Sequence, residues 1–382
     1  MKIKSLLIGS AAAIVAAPAA FAADVIIAEP EPVEYVEVCD VAGAGYFYIP
    51  GSRTCIQFSG LVRHELTFSE FAFVRLDAAG NEVLDSDFQD GWNSLVRGEL
   101  NIRTFTETEL GDLTSFIRFR ANDFNQDPLN VVVNQQGGQL NIQGLSINGS
   151  TFLNNATIGL GGLLIGMSDT LYDGGINGEF DQLGGDRVHF VRYTADFGAF
   201  SAAIAAELER RDYSRNDFVP NIVGQLSGDL GAFAVDLWAA YDDDDDLVNL
   251  DDEFSLKARV GADFGPATIQ AAATYNSGSN YYDNGYEYSV GASAKFGLGE
   301  KASFTFGGQY FANALNGSAS PVDDLDAFRI GANVDYEIVD GFDMKIAVNY
   351  VDAETFLVQA NGNVIDDSEG LFGGFIRFDR SF

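Results

Sequence analysis

From residue 56 to residue 68 apolar and polar positions alternate. Ile56, Phe58, Gly60, Val62, Leu66 and Phe68 fall on one parity, and Gln57, Ser59, Arg63, Glu65 and Thr67 on the other. A period of two belongs to a strand with one apolar and one polar face. The pattern returns at 254–264, where Phe254, Leu256, Ala258, Val260, Ala262 and Phe264 oppose Ser255, Lys257, Arg259 and Asp263. It returns again at 302–310, at 342–350 and at the chain end, where Phe372, Gly374, Ile376, Phe378 and Phe382 oppose Arg377, Asp379 and Ser381. Alternation alone fits two architectures. In a two-sheet sandwich the apolar faces meet in a core, whereas in a membrane barrel they look at lipid and the polar faces line water.

The turns separate the two. Short glycine-containing turns sit around Gly198, Gly231, Gly265, Gly299 and Gly341, at intervals of 33, 34, 34 and 42 residues. Each interval has room for two strands of roughly ten residues and one longer polar loop, the asymmetry of an outer-membrane barrel. Phe197, Phe200, Phe233, Phe264, Phe296 and Phe342 flank these turns as an interfacial aromatic girdle would. The expected fold is therefore all-β, a transmembrane antiparallel barrel of about 16 strands. A strand ending on Phe382 needs a partner, because free edges and termini fray or aggregate. The last strand is predicted to pair with the first, near residues 55 to 68, and to close the barrel. Ile376, Phe378 and Phe382 form the candidate barrel-assembly signal. Arg380 lies on the apolar parity, close enough to the terminus to snorkel.

Composition sharpens this reading. Apolar residues make up 47% of the chain, yet after the leader no stretch approaches the ~20 apolar residues of a spanning helix. The formal net charge of −34 argues against a nucleic-acid partner, and an aromatic content of 13% argues against acidic disorder. Residues 1–22 carry Lys2 and Lys4, an uncharged apolar stretch and Ala20-Phe21-Ala22, the pattern of a secretory signal. Residues 23–54 read as a periplasmic segment, extended by Pro30 and Pro32, and residues 55–382 as the barrel. Cys39 and Cys55 are the two cysteines of a chain bound for an oxidising compartment, so a disulfide is expected, with Tyr46, Phe47 and Tyr48 packing its loop against the barrel base.

The segments "VEYVEVCDVAGAGYFYIPGSRTC", "ETELGDL" and "IRFDRSF" resemble those of the alphaproteobacterial porin family, and the similarity runs over nearly the whole chain. The resemblance implies a trimeric, 16-stranded barrel in the Gram-negative outer membrane that passes small hydrophilic solutes. It also implies a third extracellular loop folded inward to narrow the pore. In resembling barrels a mature Ala-Asp or Ala-Glu start can be joined to peptidoglycan, which makes Ala23 and Asp24 a candidate cell-wall tether; a plain leader is the other reading. Lipid and lipopolysaccharide are the surroundings such a barrel implies, and no cofactor or metal is expected.

The candidate pore residues are charged. Arg63, Arg97, Arg103, Arg118 and Arg120 fall on inward parities of three consecutive strands. They form a basic wall or an ordinarily wetted lumen face. If "ATIGLGG" and "LLIGM" are the fourth and fifth strands, residues 168–186 are the third long loop, carrying Asp169, Asp173, Glu179 and Asp181. Opposed acidic and basic groups across a pore select solutes by charge; a solvated loop is the alternative. The acidic loops suggest a modest cation preference. The run "YDDDDDL" at 241–247 lacks the ligand spacing of a calcium loop and reads as solvated acid. An enzyme is disfavoured, because the two histidines, His64 and His189, sit in no serine-nucleophile motif. A non-conducting adhesin or structural barrel is the remaining alternative.

Overall fold

The computed structural model describes residues 37–69, 74–76, 82–84, 91–124, 131–136, 139–144, 150–208, 219–243, 253–282, 285–315, 321–322, 325–353, 355–358, 364–367 and 370–382. The predicted signal, Ala23, Asp24 and residues 244–247 of the acidic run lie outside them. So do residues 125–130, 137–138 and 145–149 of the second long loop at 124–153, a candidate latch on a neighbouring subunit that the sequence does not establish.

Sixteen long strands form one antiparallel sheet that also takes in two short ones, Phe47–Tyr48 and Pro321–Val322. The first half comprises β1 (Cys55–Ser69), β2 (Gly91–Thr106), β3 (Leu113–Phe124), β4 (Ser150–Leu160), β5 (Leu163–Asp169), β6 (Arg187–Asp196), β7 (Phe200–Leu208) and β8 (Asn221–Asp229). The second half comprises β9 (Phe233–Asp242), β10 (Glu253–Phe264), β11 (Ala267–Asn276), β12 (Tyr286–Leu298), β13 (Ala302–Leu315), β14 (Ala327–Val339), β15 (Phe342–Ala353) and β16 (Leu371–Ser381). Each strand pairs with the next. β16 pairs with β1 from Leu61↔Ser381 to Ser69↔Gly373, so the ring closes as the terminal Phe predicts. Closure removes both edges at once.

The burial pattern is inverted relative to a soluble protein. On β10, Phe254, Leu256 and Val260 are 43%, 44% and 44% exposed, while Ser255 and Lys257 are 0% and 2% exposed. Apolar side chains point away from the ring and polar ones into it, which excludes the sandwich and fits a lipid-facing barrel with a wet lumen. Phe197, Phe200, Phe233, Phe264 and Phe296 are outward and exposed at the tight-turn end. Phe342 stacks on Phe378 there, ring centroids 6.2 Å apart. A second row at the long-loop end includes Phe254, Tyr275 and Tyr288, with centroid separations of 5.7 and 5.1 Å.

The tight turns have local causes. Gly198 and Gly231 both adopt φ +85°, a conformation that side chains resist. Asp196 Oδ1 accepts the Gly198 N–H at 2.8 Å and Asp229 Oδ1 accepts the Gly231 N–H at 2.9 Å. The two "D-x-G" turns are thus fixed by an aspartate bonding its own backbone two residues on. Arg380 snorkels as expected, donating through Nη1 to the Asp340 carbonyl at the β14–β15 turn, 3.2 Å away. Below β1, Cys39 and Cys55 form the disulfide, Cα atoms 6.0 Å apart and both side chains buried. Phe47 pairs with Ile56 and lays its ring 6.0 Å from Phe58.

Candidate pore constriction

The third long connection, residues 170–186 between β5 and β6, turns into the ring. Leu171, Tyr172, Ile176, Phe180 and Leu183 are buried along it. Its neck is closed by the Thr170 N–H bonding Asp186 O at 3.0 Å. Glu207 of β7 sits under the neck, accepting from Thr170 Oγ1 at 2.6 Å, Leu171 N at 2.7 Å and Tyr282 Oη at 3.1 Å. A buried carboxylate is tolerated here because donors surround it. Lys257 of β10 ties the two limbs of the loop together. Its Nζ donates to Tyr172 O and, at 2.8 Å, to Leu183 O, while lying over the rings of Tyr172 and Trp238.

From there the loop follows the wall. Arg259 Nη1 donates to Gly175 O at 2.6 Å and its fork holds Asp236 of β9. Gln270 of β11 accepts Asn177 N at 2.6 Å, and Gln309 of β13 accepts Gln182 N at 2.8 Å. At the tip, Asn349 of β15 donates to Glu179 O at 3.0 Å. The Glu179 carboxylate lies 2.6 Å from Lys345 Nζ and 3.5 Å from Arg377 Nη1, and Arg377 Nε in turn bonds Glu65 of β1 at 2.5 Å.

The loop's contacts thus run from β7 round to β16, and the five arginines occupy the next sector, β1 to β3. Arg63 is a fork on Asp379, with bonds of 2.7 and 2.8 Å. Arg118 and Arg120 share Glu99, at 3.5 and 2.6 Å. Arg97 Nε donates to Asn122 Oδ1 at 2.9 Å, and Arg103 to Ser59 Oγ at 3.3 Å, with its guanidinium over the Phe116 ring. These last two bond neutral oxygens and, among the described residues, have no carboxylate within 4.0 Å, although Glu99 and Glu65 act on Arg97 through space.

The acidic candidates divide. Glu179 reaches across to the opposite wall. Asp181 turns back into its own loop, accepting Ile176 N at 3.0 Å and Leu183 N at 3.2 Å. Asp169 ends β5, exposed, on the outward parity of Ile165. Asp173 keeps a solvent-accessible face within the crowded base of the loop, and burial followed by the neighbouring Asp169 charge raises its carboxyl above the usual range. One reading is corrected: Asp242, in the acidic run read as solvated, is 3% exposed and accepts the Tyr281 N–H at 2.6 Å. His64 faces outward on β1, its Nε2 3.0 Å from Ser94 Oγ.

Sequence reasoning missed Glu99, Glu65 and Asp379 as counter-charges and Lys345 as a loop anchor. Parity marks all four as inward, but pairing them requires the register between strands.

A family model described as "Porin subfamily" matches residues 24–369. The chain belongs to this porin family. Among its relatives, Porin Omp2b of Brucella neotomae is 35% identical over 410 aligned residues, covering 100% of both chains. Porin Omp2a of Brucella melitensis is 34% identical over 409, again covering 100% of both. The fold is shared more widely. The outer membrane channel DcaP of Acinetobacter baumannii aligns with a TM-score of 0.58 at 14% identity, over 88% of this chain and 99% of that one. The anion-selective porin from Comamonas acidovorans gives 0.56 at 13%, over 86% and 100%. The trimer form of OmpT, an outer membrane protein of Vibrio cholerae, gives 0.53 at 13%, over 86% and 100%. The protein is an outer-membrane porin channel rather than an enzyme, and the non-conducting alternative is not favoured.

Proposed function

We propose that this porin is a homotrimeric channel for passive diffusion of small hydrophilic solutes and ions, with residues 170–186 and the β1–β3 arginines forming its constriction. The observation that carries this reading is the loop's placement. It is fastened along the wall of a polar lumen from β7 to β16, with Glu179 bonded to Lys345 and with Arg97 and Arg103, free of close ion pairs among the described residues, in the next sector. Such a loop narrows the passage while leaving charged groups to act on what passes.

Trimer formation is supported by the His64–Ser94 pair on the outer face of β1 and β2. A polar pair is costly against lipid and better accommodated between subunits. The outward apolar band supports surrounding outer-membrane lipid, with lipopolysaccharide at the long-loop end. Removal of residues 1–22 and attachment of Ala23 to peptidoglycan complete the reading, along with modest cation preference from the acidic chain. The test is conductance of the purified protein in a planar bilayer. Ohmic current lost in steps of three supports the proposal, and stable insertion without current overturns it.

A further inference from the structure

The tip of the inner loop is held by a feature that neither charge nor family resemblance points to. Phe180 is 1% exposed although it belongs to a loop inside a water-filled ring. Its socket is made by two inward glycines of neighbouring strands, Gly307 on β13 and Gly331 on β14, which are register partners. A Cβ at Gly307 would stand 2.5 Å from Phe180 Cζ, and one at Gly331 would stand 2.8 Å from Phe180 Cβ. A Cβ at Gly307 would also meet Ala292 O, and one at Gly331 would also meet Asn349 Oδ1 and Val348 O, so the wall itself requires glycine at both positions and the space this leaves is what Phe180 fills. Ile176, Leu183 and Ala272 complete a small apolar cluster around it. The loop turns into the socket at Gly178, φ +123°, beside Glu179, whose carboxylate and carbonyl are gripped by Lys345 and Asn349.

We infer that Phe180 is the positioning residue that fixes the aperture. Seated between Gly307 and Gly331, it makes the loop a strap fastened at its tip as well as its neck, and so holds the constriction at one size. Polar contacts alone would not do this, since each competes with lumen water, whereas an aromatic ring leaving a dry socket must expose its whole surface. Removing the ring leaves the tip of the 17-residue connection held by the Glu179–Lys345 ion pair and the Asn349 hydrogen bond, both open to exchange with lumen water. The tip then swings into the lumen, and the channel fluctuates.

The inference rests on the diffusion-channel reading, and one set of planar-bilayer and liposome-swelling measurements distinguishes the two. In Phe180→Ala, open-channel current noise should rise severalfold and brief partial closures should appear. The ratio of swelling rates for a monosaccharide and a disaccharide should change, while the heat resistance of the barrel stays at the wild-type value. Phe180→Leu should restore most of the quiet current.

A double variant, Phe180→Cys with Gly331→Cys, gives an independent arm. The Gly331 Cβ would stand 2.8 Å from the Phe180 Cβ and against Asn349 Oδ1, so a disulfide, which holds Cβ atoms about 3.8 Å apart, forms as the loop backs off by about 1 Å and the Asn349 amide turns aside; its formation is checked by mass before currents are compared. Oxidised, it should conduct quietly; reduced, it should fluctuate as Phe180→Ala does. Single Phe180→Cys under the same reductant controls for the Cys39–Cys55 bridge, and single Gly331→Cys controls for the displaced Asn349 amide. Wild-type noise and sugar ratio in Phe180→Ala, or identical oxidised and reduced currents in the double variant, would overturn the latch. Absence of current in the unaltered protein would overturn the channel reading itself, and the latch with it.

Discussion

Phe382 and Gly60 exchange two backbone hydrogen bonds, Gly60 N to Phe382 O at 2.8 Å and Phe382 N to Gly60 O at 3.1 Å. The last residue of the chain is thereby the final rung of the ladder between β16 and β1. The Phe382 ring lies over Gly60, where a Cβ would fall 2.8 Å from ring carbon Cε2. Closure therefore depends on an aromatic at one end and the absence of a side chain at the other. Gly60→Val should cost about 1–3 kcal/mol by overpacking and lower the yield of folded barrel. Deleting Phe382 should lower it further. Both are read from the fraction of unheated protein that migrates as folded barrel rather than as the heat-denatured chain.

How much of this was legible follows from where each signal lies. The alternation on β10 and the glycine turns at 198 and 231 are local, so the sequence carries them and the strand count follows. The end pairing of Phe382 is long-range, yet an unpaired apolar terminus is costly enough to imply it. Ion pairs are different. That Glu99 serves Arg118 and Arg120 depends on the register of β2 with β3, and a slip of one residue would turn every group to the other face. Phe180 was silent for another reason. In sequence it is one apolar residue in an acidic loop, and its socket is two glycines more than a hundred positions away.

Lys257 offers a test of the loop's neck. Its ammonium is spent on the carbonyls of Tyr172 and Leu183, one from each limb. Lys257→Met keeps the aliphatic stem and removes both bonds, a loss of about 2 kcal/mol for charge-assisted contacts. The expected result is limited proteolysis within residues 170–186 under conditions where wild type resists, at an unchanged barrel melting temperature. Equal resistance in both proteins would mean that Glu207 holds the neck unaided.

The arginine wall is not uniform, and its members should behave differently. Arg97 and Arg103 bond neutral oxygens, so replacing both by Ser removes positive charge held in no close ion pair and should shift the zero-current potential in a salt gradient towards cation preference. Glu99→Gln frees Arg118 and Arg120 and should shift it towards anions. Arg63→Ser leaves Asp379 without its fork partner and should also move it towards cations. These shifts should shrink as salt rises and the Debye length falls from ~10 Å at 0.1 M towards ~3 Å at 1 M. If none of the three variants moves the potential, these strands do not line the narrow part of the pore.

Asp173 and Asp181 make the loop sensitive to mild acid. Burial raises both carboxyls above the ordinary range. Asp169 adds to the effect at Asp173, and the N–H groups of Leu183 and Ile176 partly offset it at Asp181. A raised carboxyl binds its proton more tightly in the folded protein than in the unfolded chain. Its protonation therefore favours the folded state as pH falls through the raised value, and that contribution is absent above it. The loop should accordingly stay folded in mild acid while losing negative charge. Between neutral pH and the ordinary carboxylate value of about 3.9, the zero-current potential should drift towards anions ahead of the exposed acids. Asp173→Asn with Asp181→Asn should flatten that drift and leave the neutral-pH current quiet. A drift identical in wild type and the double variant would place the sensing carboxylates elsewhere, with Glu179 beside Lys345 and Arg377 the next to replace.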